Sequence, residues 1–239
     1  MSDQIIHSHP TVICVLTKLF NLFIWYRHIL VSFGRSYTVP IPKRDGHCRA
    51  LSVDDFRGIL ISPVISNLFE MAILDRFSVF FDVTCDNQFG FKKTLSCRHA
   101  VCCVRHVVDS YVNNGPTLNV CALNLSKAFD CMNHHALFIK LMERKFTSEL
   151  LFILETWFRF SVSCVRWGTC FSNFFSLSAG VRQGGVLSPY FFAVFVDDIV
   201  YKVQMSNIGC YISSTCGCIY LYADDILLLA PTVAGFSIY

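Results

Sequence analysis

The feature that most restricts the fold of this 239-residue chain is a pair of adjacent carboxylates inside a strongly apolar segment. Asp224 and Asp225 lie in the sequence YLYADDILLLA, between apolar runs at residues 218–223 and 226–230. Burying an unpaired carboxylate is costly, so each needs solvent, a hydrogen-bond donor or a cation. Both runs have the length and composition of strands, which predicts a hairpin with the aspartates at its tip. This tip is either an ordinary turn or a site for a hard cation such as Mg²⁺.

The composition raises the question of a membrane protein, because 54% of the residues are hydrophobic and the mean hydropathy is +0.49. The best candidate span, residues 12–33, is interrupted by Lys18, Asn21, Arg27 and His28. A membrane helix needs about 20 consecutive apolar residues. The N-terminal sequence MSDQIIHSHP also lacks the basic start of a signal peptide. We therefore expect an intracellular protein of the cytoplasm or nucleus that does not insert into membranes.

The 13 cysteines are odd in number and lie mostly in apolar segments. Without a secretory signal, this pattern predicts reduced thiols and no disulfide partner. A zinc site at Cys210, Cys216 and Cys218 is a weaker alternative, because no paired CxxC motif and no nearby histidine accompany them. The net charge of +3 permits nucleic-acid binding without requiring it.

Hydrophobic periodicity and turn residues predict an α+β domain. Helices are expected at residues 11–31, 64–77, 96–111 and 137–146 and from Ser188 onward. Strands are expected at residues 161–166 and 171–177. A further strand from Tyr37 contains prolines, which predicts an edge strand that ends at a turn of Asp45 and Gly46. The apolar run from Leu118 to Leu125 predicts a buried strand.

Four segments occur in a fixed order: VPIPKRDG, ALNLSKAFD, GVRQGGVLSP and YADD. With these segments, the chain from about Tyr37 to Pro231 resembles the reverse transcriptase domain of non-LTR (LINE-like) retrotransposons. The resemblance implies a right-hand polymerase with fingers and an antiparallel palm sheet packed on helices. It also implies an RNA-directed DNA polymerase that uses an RNA template, a DNA primer, dNTPs and two Mg²⁺ ions, with Mn²⁺ as an alternative.

The same resemblance implies a domain organisation. Residues 1–36 are expected to form an amphipathic helical segment, residues 37–117 the fingers and finger-palm helices, and residues 118–239 the palm with a finger insertion. The chain ends soon after the aspartate pair, and few residues precede Tyr37. These positions suggest a truncated fragment that lacks a thumb and an endonuclease domain.

By this resemblance, Asp224 and Asp225 bind the catalytic metal ions, and Asn124 occupies the position of a third aspartate. An amide offers a carbonyl oxygen but lacks the negative charge that holds two divalent ions close together. Weak or absent catalysis is the expected consequence. Asp130 is an alternative metal ligand, although its position before a helix predicts a contact with the helix dipole instead.

The remaining matches are predicted to contact nucleotide or template. Lys43 and Arg57 would bind the incoming triphosphate, and Gln183 and Gly184 would line the nascent base pair. Phe129 would exclude a ribose 2′ hydroxyl, with core packing as the alternative. Template-binding residues are predicted at Lys92 and Lys93. A solvated surface position is the alternative for these two lysines and for Lys43.

Three functions therefore remain open at the level of sequence. The first is an active RNA-directed DNA polymerase, motivated by YADD and the RQG segment. The second is a catalytically silent relic of a retroelement that at most binds nucleic acid, motivated by Asn124. The third, suggested by hydropathy alone, is a membrane or structural protein. We favour membership of the polymerase family combined with impaired activity.

Overall fold

The computed structural model describes residues 7–43, 52–81, 85–92, 94–115, 117–206, 208–213 and 215–238. The expected turn at Asp45 and Gly46 and the candidate template-binding residue Lys93 lie outside these ranges.

Helices and strands alternate along the chain in the manner expected for an α+β fold. The helices are α1 (Pro10–Tyr26), α2 (Val64–Arg76), α3 (Ser78–Phe81), α4 (Cys97–Asn113), α5 (His134–Glu143), α6 (Ser148–Arg159) and α7 (Ser188–Met205). The strands are β1 (Arg35–Pro42), β2 (Phe56–Ile61), β3 (Asn119–Asn124), β4 (Val162–Trp167), β5 (Cys170–Phe171), β6 (Phe175–Ser176), β7 (Tyr211–Ile212), β8 (Thr215–Cys216), β9 (Ile219–Tyr222) and β10 (Asp225–Ala230).

The chain divides into two compact units. The first unit contains Met1–Phe80 and Phe129–Ser188, and the second contains Phe81–Ala128 and Pro189–Tyr239. Each unit is thus assembled from two separated stretches of sequence. The assignment of fingers and palm to consecutive ranges of the chain stays a prediction.

Local signals account for where the main helices begin and end. Helix α4 begins after Ser96, whose backbone N–H donates to Nδ1 of His99 in a capping box. Helix α1 ends where Arg27 adopts a left-handed conformation with a φ of 51°. Helix α2 begins after Pro63, one residue later than a cap at Ser62 would give.

In the first unit, the strand order is β2-β1-β4-β5, with β6 also paired to β4. Strand β1 is antiparallel to β2 and parallel to β4, so the prediction of an edge strand is wrong. Among the described residues, β4 pairs with β1 only over Arg35–Thr38. Pro40 and Pro42 lie beyond this overlap, where their missing N–H groups cost no hydrogen bond to β4.

The core of the first unit is a cluster of aromatic rings from α1, α2, α6 and the short 3-10 helix Val31–Gly34. Phe69 is fully buried and lies with its ring centroid 5.5 Å from Phe23, 6.2 Å from Phe33 and 5.7 Å from Trp157. Burying one such side chain contributes about 1.5–3 kcal/mol, so this cluster is a principal source of stability for the unit.

In the second unit, β3, β10 and β9 form an antiparallel sheet in that order. Central strand β10 buries Ile226, Leu228 and Leu229, whereas β3 lies at an edge among the described strands. Val120 and Leu123 of β3 are 54% and 44% exposed. The prediction of a strand at this position is confirmed, but the prediction that it is buried is wrong. An apolar run shows strand propensity without showing which other elements cover it.

The prediction of reduced cysteines is wrong for one pair, because Cys216 and Cys218 are joined by a disulfide. Gly217 separates the two cysteines between β8 and β9, and their Cα atoms lie 5.6 Å apart, within the usual range for a disulfide. The other cysteines in the described ranges are free. Within those ranges, no group of three or more His, Cys, Asp or Glu side chains is placed to hold a metal ion.

A search of the described helices for a membrane span finds no helix that is both long enough and apolar enough to cross a bilayer.

Candidate active site

The aspartate pair lies where β9 turns into β10. Tyr222 pairs with Asp225, so Ala223 and Asp224 form a two-residue turn. The predicted hairpin is confirmed, although Asp225 begins β10 and only Asp224 belongs to the turn. Ala223 has a φ of 55°, a left-handed conformation that costs a residue other than glycine about 1–2 kcal/mol. The turn is therefore a strained element that neighbouring groups must hold in place.

Asn124 lies directly opposite Asp225, because β3 and β10 are antiparallel neighbours. Its side-chain Nδ2 donates a hydrogen bond of 2.9 Å to Oδ1 of Asp225. The backbone N–H of Leu125 donates to the carbonyl oxygen of Asp224 at 3.0 Å. The fold therefore brings Asn124, Asp224 and Asp225 to the same end of the sheet. Further along β9, Tyr220 pairs with Leu227, and burial raises the pKa of this tyrosine to about 12.

In the first unit, Gln183 and Gly184 lie on the loop before α7. The carbonyl oxygen of Gln183 accepts a hydrogen bond of 2.9 Å from the N–H of Leu60. Gly184 has a φ of 112°, and a Cβ atom there would lie 2.8 Å from the carbonyl oxygen of Leu60. The position thus needs glycine both for its backbone conformation and for its close approach to β2.

Asp130 contacts the side chain of Gln183 on this loop. Its Oδ1 accepts a hydrogen bond of 2.9 Å from Nε2 of Gln183. Helix α5 begins later, after Asn133, whose Oδ1 accepts from the N–H of Ala136. The expectation that Asp130 is a helix-start carboxylate is therefore wrong, because Asn133 has that role.

A buried ion pair anchors the same loop, and the sequence analysis did not identify it. Arg182 donates from Nη2 to Oε1 of Glu70 at 2.7 Å, and the two side chains are only 12% and 3% exposed. Its guanidinium also lies 4.8 Å from the ring centre of Trp157. Burial lowers the pKa of Arg182, and the charge of Glu70 opposes this shift. The second oxygen of Glu70 accepts from the N–H of Leu187, so the pair contacts both ends of the loop.

The predicted triphosphate-binding cations lie on the β1–β2 hairpin. Arg57 is exposed and pairs with Ile41 across the two strands. Lys43 is also exposed, and its Nζ donates to the carbonyl oxygen of Asp54 at 2.7 Å. The charge of this lysine is therefore accessible, although one of its donors already has a backbone partner.

The other two predicted residues, Phe129 and Lys92, each form a hydrogen bond with a backbone group of their own unit. Phe129 is half-buried, and its carbonyl oxygen accepts from the N–H of Val181 at 2.7 Å. In the second unit, Nζ of Lys92 donates to the carbonyl oxygen of Cys85 at 2.7 Å. The contact closes a local loop, and template binding by Lys92 stays a prediction.

Comparison with known proteins identifies the family of this chain. The model of the family described as "Reverse transcriptase (RNA-dependent DNA polymerase)" matches residues 41–234. The chain belongs to this family. Members of the reverse transcriptase family generally use divalent metal ions.

Curated relatives of this reverse transcriptase come from non-LTR retrotransposons, which confirms the resemblance found in the sequence. The chain is 24% identical over 226 residues to the Pol polyprotein of the type-2 retrotransposable element R2DM of Drosophila melanogaster, covering 94% of this chain and 21% of the relative. It is 25% identical to the RNA-directed DNA polymerase of the mobile element jockey of Drosophila funebris, covering 76% of this chain and 20% of the relative. The chain spans about a fifth of the length of these relatives.

Solved structures of telomerase share the fold. The chain matches the apo telomerase of Candida tropicalis with a TM-score of 0.62 and 12% identity, over 91% of this chain and 49% of that one. It matches the telomerase of Candida albicans, in complex with a fragment of telomeric RNA, with a TM-score of 0.57 and 13% identity, over 85% and 39%. At these identities the likeness concerns the fold, and it confirms the expected polymerase fold of fingers and palm.

The side chains of Asn124, Asp224 and Asp225 are only partly suited to bind the divalent metal ions that the family uses. Asp224 and Asp225 supply carboxylates, the ligands that Mg²⁺ prefers. Asn124 instead presents an amide N–H to Asp225, and an N–H group cannot bind a cation. Two carboxylates can hold one divalent ion, but a closely spaced pair of ions lacks the third negative charge.

The predicted site residues of this reverse transcriptase divide between the two units. Asn124, Asp224, Asp225 and Lys92 belong to the second unit, and Lys43, Arg57, Phe129, Gln183 and Gly184 belong to the first. Sequence reasoning missed Glu70 and Arg182. Glu70 had a usable signal, since a carboxylate within the apolar segment NLFEMAIL needs a buried partner.

Proposed function

We propose that this chain is a non-LTR reverse transcriptase domain whose nucleotidyl transfer is weak or absent because Asn124 replaces a metal-binding carboxylate. The hydrogen bond from Asn124 to Asp225 carries this proposal. The amide of Asn124 lies directly opposite Asp225, occupies one oxygen of its carboxylate and adds no negative charge. Metal affinity falls for both reasons, and catalysis falls with it.

Bound Mg²⁺ ions would activate the primer 3′ hydroxyl and stabilise the leaving pyrophosphate. The protein's own groups would position the substrates. Lys43 and Arg57 bind the triphosphate of the incoming dNTP, with Lys43 as a point charge and Arg57 as a forked donor. Gln183 and Gly184 line the new base pair, and the aromatic ring of Phe129 excludes the 2′ hydroxyl of a ribonucleotide.

The arrangement also supports binding of an RNA template and a DNA primer without turnover. Phosphate binding depends on positively charged side chains, and the side chains of Arg57 and Lys43 are exposed. Lys92 and Lys93 are proposed to add phosphate contacts on the template. Substitution of a carboxylate by an amide at Asn124 leaves these cations unchanged. A catalytically silent chain of this kind would retain affinity for primer–template.

Primer extension tests the proposal. The chain and its Asn124→Asp variant are compared on oligo(dT)-primed poly(rA) with Mg²⁺ and with Mn²⁺, after circular dichroism confirms that both are folded. We expect the variant to extend the primer at least about tenfold faster, because it regains the third carboxylate. Asn133→Asp is a matched control, because it adds the same charge at a helix cap where Asn and Asp are equivalent.

Two outcomes would contradict the proposal. Equal extension by the natural chain and the Asn124→Asp variant would show that the amide does not limit catalysis. Failure of both folded proteins to extend the primer would show that the loss of activity has another cause. Electrophoretic mobility shifts with the same primer–template measure nucleic-acid binding separately from turnover.

A further inference from the structure

A short segment of the second unit, Asn87–Gly90, packs along the outer side of β9. The N–H of Phe89 donates to the carbonyl oxygen of Leu221, and the N–H of Leu221 donates to the carbonyl oxygen of Asn87, both at 2.9 Å. Gln88 forms a parallel bridge with Leu221. These contacts attach the segment to the edge of the sheet at β9 through a single β-bridge. We call residues 87–90 the brace.

Side chains of the brace fix its position and its own shape. Nδ2 of Asn87 donates to the carbonyl oxygen of Ile219 at 2.7 Å, so the side chain and the main chain of this residue both hold β9. Gln88 is 1% exposed, and its Oε1 accepts from the N–H of Gly90 at 2.9 Å. The ring of Phe89 lies 6.0 Å from the ring of Tyr220. The main chain and the side chain of Asn87 and the N–H of Phe89 therefore attach the brace to β9 at several points.

The end of the brace meets the strained turn. A Cβ atom on Gly90 would lie 2.4 Å from the backbone nitrogen of Ala223 and 3.1 Å from its Cα. Gly90 has no unusual φ, so this close approach is what requires glycine. Ala223 is the left-handed residue of the turn, and Asp224 follows it directly. A strained residue keeps its conformation only when its surroundings enforce it.

We propose that the brace is a positioning element that holds Ala223 in its left-handed conformation and thereby fixes the direction in which Asp224 and Asp225 are presented. Gly90 and Asn87 act through the turn and do not touch the reacting atoms. The part of this inference that concerns metal binding rests on the proposed function. The part that concerns the conformation of the turn is independent of it.

The test uses the full chain with Asn124→Asp as the parent protein. Gly90→Ala pushes a methyl group against Ala223, and Gly217→Ala is the matched control. A Cβ atom on Gly217 would also meet a close neighbour in the second unit, because it would lie 2.7 Å from Cγ2 of Val107. This contact lies at the end of β9 that is remote from the turn. Amide hydrogen exchange over residues 219–226 reports the conformation of the turn, and a Mn²⁺ titration reports metal affinity.

We expect Gly90→Ala to speed exchange at the turn about tenfold and to weaken Mn²⁺ binding about tenfold. The control should leave Mn²⁺ affinity unchanged. Asn87→Ala, which removes only the side-chain bond to Ile219, should shift both quantities in the same direction by less. It replaces Gly90→Ala if that variant does not fold.

The proposal is overturned if Gly90→Ala, or Asn87→Ala in its place, exchanges at the turn as slowly as the parent. It is also overturned if Gly217→Ala weakens Mn²⁺ binding equally. If the parent itself does not bind Mn²⁺, the proposed function fails. Hydrogen exchange in the absence of metal then decides the role of the brace alone.

Discussion

Asn124 and Asp225 face each other across adjacent strands, and the amide of one donates a 2.9 Å hydrogen bond to the carboxylate of the other. In the absence of metal this pairing is favourable, because it satisfies both polar groups without bringing like charges together.

The first prediction concerns Asn124→Asp in metal-free buffer. The substitution removes the hydrogen bond and places two carboxylates opposite each other, so the free energy of unfolding should fall by about 1 kcal/mol. Urea unfolding in EDTA measures the loss. Added Mn²⁺ should stabilise the variant more than the natural chain, because at equal concentration a ligand that binds the folded state more tightly stabilises it more. A variant at least as stable as the natural chain in EDTA would contradict this account of the pair.

The second prediction concerns the ion pair of Arg182 and Glu70. Arg182→Ala leaves the Glu70 carboxylate buried without its partner, so the free energy of unfolding should fall by about 3–5 kcal/mol. Arg159→Ala is the matched control, because it breaks a 2.9 Å ion pair with Glu155 that is largely exposed. The control should cost no more than about 0.5 kcal/mol. Urea unfolding of both variants provides the comparison, and similar losses would refute a structural role for the buried pair.

The third prediction concerns Gly184 on the same loop. Gly184→Ala should cost about 1–3 kcal/mol, because alanine there adopts an unfavourable φ and also meets the carbonyl oxygen of Leu60. Gly168→Ala separates the two effects: its φ is 60°, but a Cβ atom there meets nothing within 4 Å. We expect Gly168→Ala to lose less stability in the same thermal unfolding experiment. A larger loss at Gly168 would show that close approach to β2 is unimportant.

The fourth prediction concerns Phe129. In the Asn124→Asp protein, Phe129→Val should raise incorporation of ribonucleotides relative to deoxyribonucleotides by at least about tenfold, because the ring no longer excludes the 2′ hydroxyl. Single-nucleotide incorporation with dTTP and UTP on poly(rA) measures this ratio. Phe146→Val, in the buried core of the first unit, is the control for loss of packing alone. An unchanged ratio in Phe129→Val together with reduced stability would favour the core-packing alternative.

Much of the local structure was predictable because it depends on residues that are close in sequence. Apolar periodicity and helix caps located α1, α2 and α4, and two apolar runs around a polar pair predicted the hairpin of β9 and β10. The order of four short motifs was sufficient to indicate the polymerase family. Each of these helices, hairpins and single motifs is contained within a few tens of residues at most.

Burial and partners depended on the tertiary structure. The apolar run of β3 could not show that this strand lies at a sheet edge, and the prolines of β1 suggested an edge although β4 pairs with the other end of the strand. Asp130 could not be assigned to Gln183 from sequence, since 53 positions separate them.

The sequence by itself determined the family and the main helices and strands, and it predicted that Asn124 takes the place of an aspartate. Only the tertiary structure decided that Asn124 donates to Asp225, that Arg182 is neutralised by Glu70, and that Gly90 lies against the backbone of Ala223. The first two pairs are separated by 101 and 112 positions. Local propensity carries no information about such contacts, because packing of the folded chain alone brings these groups within hydrogen-bonding distance.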